Sequence, residues 1–201
     1  MTAACHILPA PGGVTLAARA LELAGLREGD RILDAGCGSG EAVAWMRARG
    51  YEAIGADRRP RARRDVPLLE AQAESLPFAA ATFDGVLAAC SLSVTASPET
   101  ALGEFARVLA PSGKLLITDL YARHAAGRAA GIFGREELIR RLAAHGFRTL
   151  VWEDRSDALR HFVAAYIFEH GSAAGLWGCS CAKPGYFLLV AQKKGVNFDA
   201  R

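Results

Sequence analysis

The stretch RILDAGCGSG, from Arg31 to Gly40, constrains this chain more than any other. Ile32 and Leu33 end a short apolar run that reads as a buried strand, and Asp34 closes it. A glycine-rich turn then leads into a helical pattern from Glu41 to Arg49. Glycine at Gly36, Gly38 and Gly40 lets the backbone turn sharply and approach a ligand with no Cβ in the way. The start of the following helix offers unpaired N–H groups that suit an anion. Such a strand–turn–helix serves dinucleotides too, so a Rossmann-type NAD(P) oxidoreductase is one reading. Against it, an acid, Asp34, stands inside the expected turn two residues before the first glycine. Glu41 occupies the place of the third glycine in G-x-G-x-x-G. A second strand, Glu52 to Ala56, ends in Asp57, about 20 residues on, the spacing of a ribose-binding acid in either case.

With LDAGCGSG and that second acid in view, the sequence resembles the class I S-adenosylmethionine (SAM)-dependent methyltransferases, in particular the small-molecule branch with the ubiquinone/menaquinone methyltransferases. The resemblance implies a Rossmann-like, doubly wound α/β fold. Its sheet would have seven strands, mostly parallel, with an antiparallel last strand. It implies SAM as cofactor, lying across Gly36, Gly38 and Ser39 beside Asp34, with its ribose hydroxyls on Asp57.

The octapeptide AQAESLPF, after an expected third strand from Val66 to Leu69, matches the family segment that holds adenine. There an acid accepts a hydrogen bond from the adenine amine and the next backbone N–H meets a ring nitrogen. Gln72 stands in the acid's place and Ala73 supplies the N–H. A glutamine carbonyl accepts the same bond without charge assistance, so a weaker grip is expected. Leu76, Pro77 and Phe78 would wall the ring, and the exit of a fourth strand, at Ala89 and Cys90, would close the other side. Cys90 reads as a small wall residue. The acid or Asn followed by Pro-Pro-aromatic of base amino-methyltransferases is missing here, as is the Pro-Cys of cytosine carbon methyltransferases.

At 201 residues, with 51% hydrophobic and 22% charged, the chain is expected to form a single domain with a full core. A net charge of +3 demands neither a nucleic-acid partner nor an anionic membrane. No apolar run approaches the ~18 residues of a membrane span. MTAACHILPAPGG lacks the basic start and long apolar core of a signal peptide, and 5 cysteines, an odd number, suit a reducing, cytoplasmic setting. Oligomeric state is not legible.

Further along, a helix is expected over Val14 to Leu26, where the resembled family covers its cofactor. Arg58, Arg59, Arg61, Arg63 and Arg64 read first as a solvated loop and second as a patch for an acidic or nucleotide substrate. A helix over Pro98 to Leu109, a turn at Pro111-Ser112-Gly113 and a fifth strand, Lys114 to Thr118, come next. A helix over Arg135 to His145 and a strand over Phe147 to Trp152 follow. The expected last strand, Tyr186 to Gln192, is preceded by a helix over Ser156 to His170 and the loop GSAAGLWGCSCAKPG. This insertion, residues 156–185, is expected to cover the substrate, as insertions do in the family. WEDRSDALRHFVAAYIFEHGS also resembles small methyltransferases found beside radical-SAM proteins in anaerobic bacteria.

The acceptor half is less specified, because an activated sulfonium asks the protein mainly for alignment, plus a base where the acceptor carries a proton. His124 and Tyr121, on the loop leaving the fifth strand, lead as catalytic residues, ahead of Asp119, Glu153, His161 and His170. The expected acceptor is a small molecule. Cys179 and Cys181, spaced Cys-x-Cys, fall short of a metal site, so no metal is expected. They leave open a soft acceptor such as arsenite, selenium or a thiol. A SAM-binding protein without catalysis, docking a partner, is the remaining alternative.

Overall fold

Short apolar runs separated by amphipathic helices leave the chain one efficient way to bury both, a parallel sheet with helices on its two faces. The structure is a computed structural model that describes residues 10–61, 65–123, 132–172 and 184–195. Its strands are β1 (Arg31–Ala35), β2 (Glu52–Asp57), β3 (Leu68–Glu70), β4 (Phe83–Ala89), β5 (Leu109–Tyr121), β6 (Phe147–Asp154) and β7 (Gly185–Lys193). They form one seven-stranded sheet in the order β3-β2-β1-β4-β5-β7-β6. Only β7 runs against its neighbours, pairing antiparallel with β5 and β6. This is the expected Rossmann-like sheet.

The helices are α1 (Gly13–Ala24), α2 (Glu41–Arg47), α3 (Pro98–Val108), α4 (Arg135–Ala144) and α5 (Ser156–His170). Alternation along the strands sends side chains to two cores. Leu115, Ile117, Phe187 and Leu189 meet Leu102 and Phe105 of α3 and Leu138 and Leu142 of α4. Leu116, Tyr186 and Leu188 join Leu16, Ala20 and Leu21 of α1, Val43 and Met46 of α2, and Leu159 of α5 on the other face. Each fully buried Phe or Leu contributes about 1.5–3 kcal/mol of transfer free energy.

The strand order turns back between the parallel neighbours β1 and β4: the chain leaving β1 goes to β2 on one side and the chain leaving β4 to β5 on the other. Loops leaving their carboxyl ends diverge there and open a crevice, the usual place for a ligand in such sheets.

Several local expectations change. Asp34 belongs to β1, opposite Gly55 and Leu87, and not to the turn, because it pairs with both neighbours and the β2 ladder continues through Ala35. The helix after the glycine turn ends at Arg47, and the third strand is Leu68–Glu70. Pro111, Ser112 and Gly113 lie within β5. The expected turn survives as a bulge: pairing jumps from Phe83–Leu109 to Gly85–Lys114, and Ser112 takes φ 64°. The inserted helix occurs as expected, but only its first half is packed. Ser156 and Leu159 are buried, whereas Phe168 is 94% exposed.

Candidate functional site: a glycine-turn cleft at the strand reversal

The site begins with glycine geometry. Gly36, Gly38 and Gly40 all take positive φ, at 91°, 52° and 72°. At Gly36 a second constraint applies. A Cβ there would lie 2.5 Å from the Cβ of Ser91, so the turn after β1 and the segment after β4 meet with no room for a side chain. The turn is closed from the β2 side as well: Gly36 and Cys37 donate their N–H groups to the carbonyl of Ala56, at 2.7 and 3.2 Å.

Asp57 completes it. One carboxylate oxygen accepts the Gly38 N–H at 3.0 Å and the other the Arg59 N–H at 2.8 Å. The acid at the end of β2 therefore holds the glycine turn while still facing the same cavity.

That cavity, about 330 Å³, is lined by Asp34, Gly36, Gly38, Ser39, Asp57, Ala73, Ala89 and Cys90, so eight of the nine residues expected to bind a cofactor share it. Gln72 is the exception. It is exposed, and the wall on its side is made by its neighbours Ala71, Ala73 and Glu74. Other residues join the lining: Ala10, Gly13, Val14 and Ala17 around α1, the helix expected to cover a cofactor, Arg58 and Arg61 after β2, and Ser91 and Thr95 after β4, which carry no sequence signal. For the arginines the reading as a patch was available, but nothing in the sequence put it beside the glycine turn.

The electrostatics are unusual for a surface cleft. Asp34 is only 3% exposed and accepts no hydrogen bond among the described residues. Burial, with the charge of Asp57 adding to it, pushes its carboxyl up to about 7. The Ser91 hydroxyl, on a residue 6% exposed, and the Thr95 hydroxyl also lack partners. A buried acid and two buried hydroxyls left unsatisfied along one wall are costly unless a polar ligand completes them. The cleft therefore fits a ligand bearing a cation. Cys37 is a different case: burial raises its thiol well above the ordinary range, so it stays protonated and serves as packing.

The wall that follows β3 is held from behind. Glu104 accepts the Leu76 N–H at 2.8 Å, while Arg107 donates to the carbonyls of Leu76 and Phe78 at 2.9 and 2.6 Å. Glu74 reaches across to accept the Ala96 and Ser97 N–H groups at 2.8 and 3.2 Å, tying this wall to the start of α3.

The residues expected to act on the acceptor are not gathered in the same way. Tyr121 lies outside the cavity lining. Its hydroxyl donates to Asp154 at 2.7 Å, its ring packs edge-on to Trp152 and Phe187, and burial with the Asp154 bond raises its pKa. Asp119 is buried at the end of β5 and accepts the Ser93 N–H and hydroxyl at 2.9 and 2.6 Å and the Leu120 N–H at 2.7 Å. It is a fastener for the segment after β4, not a base. Glu153 pairs with Arg19 at 3.1 Å, and His170 stacks on Tyr166. His124, Cys179 and Cys181 lie outside the described residues. Among the described residues no group of His, Cys, Asp or Glu has the arrangement of a metal site.

Fold and site together resemble those of the class I SAM-dependent methyltransferases. Residues 33–117 match the family described as a methyltransferase domain. The chain is 40% identical over 114 residues to a demethylmenaquinone methyltransferase of Thermus thermophilus, a match covering 50% of this chain and 52% of that one. Over its first relatives of this kind, the chain spans about half of their length. Among solved structures it resembles the [4+2]-cyclase SpnF, with TM-score 0.75, 26% identity, and coverage of 90% of this chain and 82% of that one. The fold also matches the 1,6-didemethyltoxoflavin-N1-methyltransferase of Burkholderia thailandensis, at TM-score 0.65, 20% identity, and coverage of 89% and 76%.

Proposed function

We propose that the protein transfers the methyl group of SAM to a small-molecule acceptor. The observation that carries this reading is Asp34: a buried carboxyl without a hydrogen-bond partner, beside a glycine turn that leaves room for a ligand. SAM brings the cations such a wall lacks, an ammonium and a sulfonium, and its sulfonium supplies the activated methyl group. Gly36, Gly38 and Ser39 would hold the amino-acid end, Asp57 the ribose, and Ala73, Ala89 and Cys90 the adenine. Gln72 would accept the adenine amine by turning its exposed side chain inward. Relatives named as menaquinone methyltransferases, and a fold neighbour solved with S-adenosylhomocysteine (SAH), support the same cofactor.

For the acceptor we propose a small molecule, bound by a single domain in the cytoplasm. Residues 156–185 would serve as its cover: α5 starts at the carboxyl edge of the sheet, where the Ser156 hydroxyl accepts the Tyr186 N–H at 3.0 Å. His124 remains the proposed base. A soft acceptor, taken up by Cys179 and Cys181, is the variant of this reading that those two thiols motivate.

The likeness to a [4+2]-cyclase gives a second reading its footing, that SAM binds here without donating its methyl group. Incubation with methyl-labelled SAM and a panel of quinols, phenols, amines and thiols separates the two. Label in an extractable product supports transfer. Tight SAH binding with no label moved to any acceptor favours the second reading.

A further inference from the structure

Cys90, the first residue after β4, has φ 49°. A side chain other than glycine, Asn or Asp pays about 1–3 kcal/mol for that conformation, and such residues persist where their surroundings over-determine them. Two contacts do so here. The Cys90 N–H donates to the carbonyl of Thr118 at 2.8 Å. Its sulfur lies 3.1 Å from the hydroxyl of Tyr186.

Tyr186 is fully buried and sits on β7, opposite Leu120 of β5. Its own N–H goes to the hydroxyl of Ser156, the first residue of α5. Burial and the neighbouring thiol raise its pKa well above the ordinary tyrosine range, so it acts as a neutral hydroxyl. The left-handed step at Cys90 directs the chain so that Ser91 lands on Gly36, with its hydroxyl in the cleft and unpartnered.

We propose that Tyr186 is a positioning residue for the transfer site: its buried hydroxyl holds the Cys90 thiol, and with it the left-handed step that sets Ser91 and its hydroxyl against the glycine turn. The antiparallel tail of the sheet, to which the inserted helix is fastened, thereby shapes the wall that the parallel half of the sheet offers to the ligand. Without the Tyr186–Cys90 contact the segment relaxes toward ordinary backbone angles, and ligand binding has to restore the strained form, which lowers apparent affinity by the fraction of molecules in the competent state. The inference rests on the cleft being the SAM site.

A double-mutant cycle on SAH affinity tests it, with Tyr186→Phe, Cys90→Ala, the double variant and Cys90→Ser titrated by calorimetry, and each melting temperature recorded. Each single deletion is expected to weaken SAH binding about threefold to tenfold, the span of one lost hydrogen bond. The double variant is expected to lose less than the sum of the two singles, because both deletions break the shared Tyr186–Cys90 contact, the Tyr186 hydroxyl also bonding the Thr118 side chain. Cys90→Ser, which keeps a hydrogen-bonding group, is expected to recover most of the affinity lost in Cys90→Ala. Unchanged affinity in both singles, even with lowered melting temperatures, makes Tyr186 packing only and overturns the proposal. Losses that add in the double variant overturn it too. Should Tyr186→Phe fail to fold, Cys90→Ala against Cys90→Ser decides alone, since both leave the Tyr186 ring in place. A parent protein that does not bind SAH at all instead refutes the cofactor reading.

Discussion

The two halves of the sheet's carboxyl edge make different use of their polar side chains. At β1, β2 and β4 these groups converge on one cavity: the buried acid Asp34 lines it, and the Ser91 and Thr95 hydroxyls there are left without partners. At β5, β7 and β6 most comparable groups are already engaged, Asp119 with Ser93, Tyr121 with Asp154 and Tyr186 with Cys90, while the Thr149 hydroxyl and Arg155 Nε lack partners but lie outside the cavity lining. Unsatisfied buried groups mark where a ligand is awaited, and satisfied ones mark structure. The β1–β2–β4 half is therefore the candidate site, while the β5–β7–β6 half acts as its support.

The largest test of that contrast is Gly36→Ala. The substitution meets both a left-handed φ and the Ser91 side chain, each worth about 1–3 kcal/mol. SAH affinity is expected to fall on the order of a hundredfold. Full affinity by calorimetry would mean that the two loops do not meet as described. Asp57→Ala comes next. It removes ligand acceptors and the tie on Gly38 together, and at roughly 1.5–3 kcal/mol for a hydrogen bond to a charged group the loss should be at least about tenfold.

The pH dependence sharpens the contrast, because it isolates Asp34. Its folded pKa, about 7, lies above the ordinary 3.8, so the empty protein holds this proton more tightly than the unfolded chain does. Stability of the empty protein should accordingly fall as pH rises from about 4 through 7. A cationic ligand prefers the ionised acid, which reverses the sign for binding: affinity for SAM should be fully present above about 7 and weaken by up to about tenfold per pH unit below it. Proton release on binding, measured below pH 7 in two buffers of different ionisation enthalpy, checks this. Equal heats in both would remove Asp34 from the site.

Gln72 and Tyr121 should give smaller effects. If Gln72 reaches the adenine amine, Gln72→Asp should bind SAM as well as or better than the parent and Gln72→Ala somewhat worse. Two neutral results would take Gln72 out of the adenine site. Tyr121→Phe should leave transfer nearly intact and lower the melting temperature slightly. A large loss of turnover would restore Tyr121 to the chemistry and break the division between the halves.

The same division governs what was legible beforehand. Asp34, Gly36 and Asp57 are readable because backbone geometry forces residue type at fixed spacing. Only glycine suits the φ of 91° under Ser91, and the acid at the end of β2 follows at a constant distance along the chain. The seven-stranded, mostly parallel sheet was expected from the family resemblance, its strand order was not read from the sequence, and α5 was visible in its apolar spacing. Ser91 and Tyr186 were not legible. Their roles depend on a contact between the exits of β4 and β1, and on one 96 residues along the chain between Cys90 and Tyr186, which no local pattern encodes. Tyr121 was misleading for a related reason: the carboxyl end of a central strand is a good place for a catalytic group, but the pleat turns this side chain toward Trp152 and Phe187, away from the cleft.

The central claim, that the glycine-turn cleft is a SAM site, is tested most directly by titrating SAH into the parent protein and into Asp57→Ala, side by side in a calorimeter. One site per chain in the parent, weakened at least about tenfold in the variant, is the predicted result. No heat with SAH in the parent, or equal affinity in the two proteins, would contradict it.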